Sequence, residues 1–175
     1  MNAFLIYLIV LRVIHIVAAV CWVGGAIVYT LFLEPAAKAT APSSGQFMQY
    51  FISRRRYPVY MGISSLLTVL AGGLLYWHSS GGLNLTWITS GPGLGYTIGS
   101  VVAIGVFFLG MLMIKPRAER MVGLGREIGG GGGPSPTQAV ELEKLGRELS
   151  LLGRVDLALL AIALLTMATA RYWFF

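Results

Sequence analysis

Four long apolar stretches, separated by polar segments of very unequal charge, organise this chain. They cover roughly residues 4–33, 57–78, 93–115 and 150–172, each near the ~20 apolar residues that a helix needs to cross a bilayer. The pattern predicts an all-α integral membrane four-helix bundle of up-down topology, a single membrane domain over residues 1–175. Between the spans, Pro35 directly after Glu34 predicts a helix stop, and residues 46–56 read as a short interfacial stretch. Residues 79–92 are Gly/Ser/Thr-rich, with Trp87 placed as an interfacial anchor. Residues 116–149 read as a flexible loop because Gly129 to Gly133 followed by Pro134 forms a linker by composition. After it, Thr137 to Leu149 predicts a helix running into the fourth span, with Glu143/Arg147 and Lys144/Glu148 at i,i+4 spacing.

Composition agrees with the pattern. Apolar residues are 56% of the chain and charged residues 11%, against about a quarter charged in soluble domains. The spans and their connections use up the residues, so no soluble catalytic domain is expected. The first span lacks a basic leader and a small-residue cleavage site, so it reads as a retained helix rather than a signal peptide. The single cysteine, Cys21, leaves no internal disulfide and no CxxC site for metal or covalent haem.

The net charge of +6 is a topology signal rather than a nucleic-acid footprint. Residues 34–56 hold Lys38 and Arg54-Arg55-Arg56. Residues 115–149 hold Lys115, Arg117, Arg120, Arg126, Lys144 and Arg147, whereas 79–92 hold no charge. Basic residues stay on the cytoplasmic side. Both termini are therefore expected outside, in a multi-pass protein of a bacterial inner (plasma) membrane.

Small residues predict where helices approach closely: Ala18, Gly25 and Ala26 in the first span, and Gly95, Gly99, Gly105 and Gly110 in the third. Within the first span stands His15, one of two histidines in the chain. An ionisable group at membrane depth is costly and marks a functional candidate. Neutral imidazole is a ligand for haem iron and for copper.

His78 is the natural second ligand if the two meet. Measured from the inner ends, His15 lies about 27 Å from Leu33 and His78 about 32 Å from Tyr57 at helical rise, which predicts nearly the same level. Steps of three and four from His15 give Arg12, Ala18, Trp22, Gly25 and Tyr29. The same steps back from His78 give Leu74, Ala71, Leu67, Ser64 and Tyr60. Both stripes mix small and aromatic residues, as an interior face beside a flat ligand would. Arg12 is placed to pair with an acid such as a haem propionate, and Trp22 to line the same cofactor site. Each has a plainer reading: packing for His15 and Trp22, interfacial placement for His78, snorkelling for Arg12. Asp156 could mark a proton path or pair with Arg154 or the loop arginines. The methionines form no cluster suited to a soft metal.

Arg12-x-x-His15-x-x-Ala18-x-x-x-Trp22-x-Gly24-Gly25, followed by Glu34-Pro35 and Arg54-Arg55-Arg56-Tyr57-Pro58, resembles the CopD-type membrane domain and the related HemJ-type protoporphyrinogen oxidases. The resemblance implies a four-helix membrane protein able to hold haem b, with His15 as ligand. It also implies HemJ-like oxidoreductase chemistry or CopD-like copper handling. The HemJ-type pattern has lysine three residues before the histidine, where Arg12 stands here, and a second lysine in the third span, where 93–114 has none.

The expectation carried forward is haem b bound by His15 and His78, with copper as the alternative metal, serving electron transfer between a quinone or a partner subunit and the outer side. A copper transport or resistance protein, and a cofactor-free structural subunit of a larger membrane complex, stand as the other readings. Partners are the lipid membrane and its complexes, not nucleic acid.

Overall fold

The computed structural model describes residues 2–41, 43–129 and 133–174, and among them every regular element is a helix. Helix α1 runs Ala3–Ala39, α3 runs Tyr57–Ser79, α5 runs Gly91–Gly129 and α6 runs Pro136–Tyr172. All four are long and apolar enough to cross a membrane. Two short helices connect them: α2, Gly45–Gln49 continued by a π-turn at Tyr50–Arg54, and α4, Leu85–Ile88. The protein is therefore a multi-pass membrane protein, an all-α four-helix bundle as its hydropathy predicts.

Local chemistry sets the helix ends. Asn2 caps α1 through Oδ1, which accepts the Phe4 N–H. Ser135 caps α6 in a reciprocal capping box with Gln138, satisfying amide donors that the first turn leaves without partners. Arg56 takes a left-handed conformation, φ 53°, and turns the chain from α2 into α3.

Pro35 does not stop α1. A π-turn at Tyr29–Leu33 precedes it, the Glu34 N–H reaching back to the Tyr29 carbonyl, and helix resumes with Pro35 in its first turn. There the missing amide donor costs nothing. The same device recurs in α5, where the π-turn Gly110–Ile114 precedes Lys115 and Pro116.

The described residues of 116–149 are accordingly mostly helix rather than loop. Most of them extend α5 and α6 beyond the apolar spans as an antiparallel pair. Arg120 clasps Glu141 with two bonds of 2.7 and 2.9 Å, and Arg117 reaches Glu148 at 2.7 Å. Leu124, 1% exposed, is buried in this extension. The expected Glu143/Arg147 and Lys144/Glu148 pairs form at 3.7 and 3.9 Å. Of the glycine linker, Gly130–Gly132 lie outside the described residues.

Two tight helix pairs build the bundle, α1 with α3 and α5 with α6. The α5–α6 seam is made by absent side chains. A Cβ on Gly95 would lie 2.8 Å from that of Ala170, and one on Gly99 would lie 2.6 Å from Met167 Cγ, so only glycine permits this approach. Gly105 and Gly110, expected in the same role, have open space beside them. The central core joins Trp22 and Ala26 of α1, Val106 of α5 and Leu160 of α6. Outward apolar side chains such as Val20, Val101 and Leu165 are exposed, the surface that a lipid environment covers.

Candidate functional site

The α1–α3 seam carries the polar chemistry of the membrane region. On α3, Ser64, Ser65 and Thr68 are buried. Each hydroxyl donates to a carbonyl three or four residues back in its own helix: Met61 at 3.1 Å, Gly62 at 3.0 Å and Ser64 at 2.7 Å. Such back-bonding satisfies hydroxyls where no water is available. It leaves the Thr68 carbonyl facing α1, and His15 takes it.

His15 Nδ1 lies 2.9 Å from the Thr68 carbonyl oxygen. A carbonyl can only accept, so Nδ1 carries the proton, and in a neutral imidazole Nε2 then keeps the lone pair. Nε2 has no hydrogen-bond partner among the described residues. The ring rests on Gly72, where a Cβ would fall 2.7 Å from Cε1 and 2.9 Å from Nδ1. Two features thus fix this imidazole: a carbonyl that selects its tautomer and a glycine that makes room for it. A ring anchored through one nitrogen to a backbone carbonyl, with the other nitrogen open, is the arrangement by which proteins orient histidine for a metal.

His78 does not join it. Its half-buried ring sits 5.5 Å from both Phe4 and Tyr7, nearly perpendicular to each. His15 meets α3 at Thr68 and Gly72, and Gly25 meets it at Tyr57, Tyr60 and Met61. In this antiparallel register His78 stands about eight residues, or about 12 Å, beyond His15 towards the uncharged end of the bundle. The equal level expected from the sequence is corrected by the register. Because α1 runs through Pro35, Tyr57 packs opposite Gly25 and Tyr29 rather than opposite Leu33. The two histidines therefore cannot face each other across one iron.

Arg12, one turn outward of His15, is exposed and makes no ion pair among the described residues. Trp22, 5% exposed, lies two turns inward of His15 in the central core, packed with Ala26, Val106 and Leu160. Among the described residues no three His, Cys, Asp or Glu side chains group as a metal cage.

Further inward a second polar layer was not foreseen. Tyr57 donates to the Gly25 carbonyl at 2.9 Å and Tyr60 to the Cys21 carbonyl at 2.8 Å, while Tyr29 stacks on Tyr57. Asp156 is buried on α6 within electrostatic reach of Tyr57. It makes no ion pair with Arg154 or the loop arginines, nor any hydrogen bond among the described residues. The three-residue spacing of Tyr57 and Tyr60, placing both hydroxyls on one helix face, is the sequence signal for the tyrosine pair. At the uncharged end Trp87 stacks with Tyr96 and meets Tyr76 edge-on, an aromatic girdle consistent with its expected anchoring.

No family model, curated protein or solved structure matches the chain. The class of the protein, a four-helix membrane bundle with an anchored intramembrane histidine, therefore rests on its own residues.

Proposed function

We propose that this chain is a membrane b-type haem-binding protein in which His15 is the protein ligand and electron transfer is the work. The observation that carries the reading is the bond from His15 Nδ1–H to the Thr68 carbonyl, 2.9 Å, which occupies Nδ1 and leaves Nε2 as the nitrogen open to a metal. Imidazole suits haem iron, and the resemblance of the Arg12–His15–Trp22–Gly25 segment to haem-binding CopD/HemJ-type proteins points the same way.

Of the two histidines, His15 would hold the haem through Nε2. His78, two turns away, serves the aromatic packing of the outer end in this reading and is not the second ligand. Electrons would be exchanged with a quinone or a partner subunit. Haem would supply one-electron redox chemistry. The protein's contributions are ligation and the choice of tautomer, with the exposed Arg12 guanidinium available to a propionate.

The test is a reduced-minus-oxidised absorbance spectrum of the detergent-purified protein, with pyridine haemochrome quantification, on wild type, His15→Ala and His78→Ala. A b-type spectrum lost in His15→Ala and kept in His78→Ala is the expected result. A colourless wild type, or a Soret band indifferent to His15, would refute the assignment.

A further inference from the structure

At the basic end of the bundle, an open cavity of about 540 Å³ is lined by Gln46 and Gln49 of α2, by Tyr50, Ser53 and Arg54 of its π-turn, and by Arg126 of the α5 extension. This volume falls in the range of small-molecule sites, roughly 300–1,000 Å³. The lining is chemically one-sided. Every side chain in it can donate a hydrogen bond, two are guanidinium cations, and none is a carboxylate.

The cations are also uncommitted. Other basic residues on the same side of the bundle are paired with carboxylates: Arg117 with Glu148, Arg120 with Glu141 and Glu127, and Lys38 with Glu34. Arg54 and Arg126, which lie 72 positions apart in the chain, make no ion pair among the described residues. They converge on the same cavity. Ser53 adds an independent sign, because its Oγ is buried without a hydrogen-bond partner. A bound acceptor would supply the bond that this buried hydroxyl lacks.

We propose that this cavity is a binding site for a phosphate-bearing anion, with Arg54 and Arg126 as its two charged clamps and Ser53, Gln46 and Gln49 as neutral donors. Guanidinium forks match phosphate oxygens with paired bonds. The site lies beside the first turn of α3, where the chain enters its second span. The phosphate can thus come from an anionic lipid headgroup or from a free phosphorylated solute, and the two sources are separable by experiment.

The full-length protein in detergent is examined in two arms. Native mass spectrometry with phosphatidylglycerol against phosphatidylcholine reads the lipid source. Thermal unfolding with glycerol 3-phosphate against glycerol reads the soluble source. The variants are Arg54→Gln/Arg126→Gln, the single Arg126→Gln, and Arg147→Gln as a charge-matched control from an exposed pair on α6. Preferential retention of phosphatidylglycerol, reduced tenfold or more in the double variant and kept in the control, establishes the site and assigns it to lipid. A thermal shift with glycerol 3-phosphate that follows the same variants assigns it to a free phosphate. Arg126 is exposed on its helix and unpaired, so its single variant reads the site even if the double variant misfolds. Binding in neither arm, or equal losses in the variants and the Arg147 control, would overturn the proposal.

Discussion

Adding one methyl group at Gly72 tests the geometry on which the His15 reading stands. A Cβ there would lie 2.7 Å from His15 Cε1 and 2.9 Å from Nδ1, where ordinary contact begins near 3.4 Å. The imidazole must therefore move by about 0.7 Å, which carries its 2.9 Å bond to the Thr68 carbonyl beyond hydrogen-bonding range. Losing that bond costs about 0.5–1.5 kcal/mol, and forcing a methyl into packed space costs about 1–3 kcal/mol. Gly72→Ala should thus destabilise the protein by roughly 2–4 kcal/mol. Gly73 supplies the control one residue away, since a Cβ there meets nothing within 4 Å. Gly73→Ala should be neutral or stabilising by up to about 1 kcal/mol through helix propensity. Equilibrium unfolding in mixed micelles gives the stabilities, and ¹⁵N shifts of labelled histidine report which ring nitrogen of His15 carries the proton. Equal stabilities for the two alanine variants, with an unchanged Nδ1–H signal, would refute the contact, and a wild-type signal showing the proton on Nε2 would refute the tautomer assignment.

Three further outcomes follow from contacts elsewhere. Gly99→Val should cost about 1–3 kcal/mol by overpacking, since its Cβ would strike Met167 Cγ at 2.6 Å, while Gly105→Val, facing open space, should leave unfolding unchanged; equal costs would refute the seam. Tyr57→Phe and Tyr60→Phe remove interhelix bonds of 2.9 and 2.8 Å and should each cost about 0.5–1 kcal/mol, with no change in the His15 tautomer; a tautomer shift would show that the two layers are coupled. Hydrogen bonds from Arg120 and Arg117 hold Glu141 and Glu148, both beyond the apolar spans, below the usual carboxylate range. Their stabilising effect is complete above that range and is lost as pH falls through the lowered values. Spin labels at Gly125→Cys and Val140→Cys in a Cys21→Ser background should give one narrow distance at pH 7 that broadens towards pH 3. A pH-independent distance would contradict this clamp.

The spans were legible because hydropathy over about 20 residues is a strong, local signal. The Gly95/Gly99 seam was legible for a related reason, since closely spaced small residues have few other uses in lipid. His15 was likewise marked by its cost at membrane depth. Its partner was not, because relative height depends on the register between α1 and α3. That register hinged on whether Pro35 ends α1, and the π-turn that lets the helix pass through it leaves no clear mark in composition. The helix over Thr137–Leu149 was legible from its i,i+4 pairs, but the polar extension of α5 was not, because Arg120/Glu141 and Arg117/Glu148 staple it to α6 across a gap in sequence that no i,i+4 rule spans. The Thr68 carbonyl was invisible for another reason: a backbone acceptor has no residue type to announce it.

The π-turns at Tyr29–Leu33 and Gly110–Ile114 have a consequence for how this chain can change. A π-turn holds one residue more than the α-helical turn it replaces, and one residue is about 100° of rotation about the helix axis. Each therefore acts as a phase joint near the basic end of its span. The segment inside the bilayer and the segment beyond it present their faces independently. A single-residue deletion within Tyr29–Leu33 would return the π-turn to an α-turn and leave Glu34 and everything after it on nearly the same face, with His15 still on Thr68 and Trp22 still in the core. The intramembrane seam and the basic platform can in this way drift apart in sequence without disturbing each other.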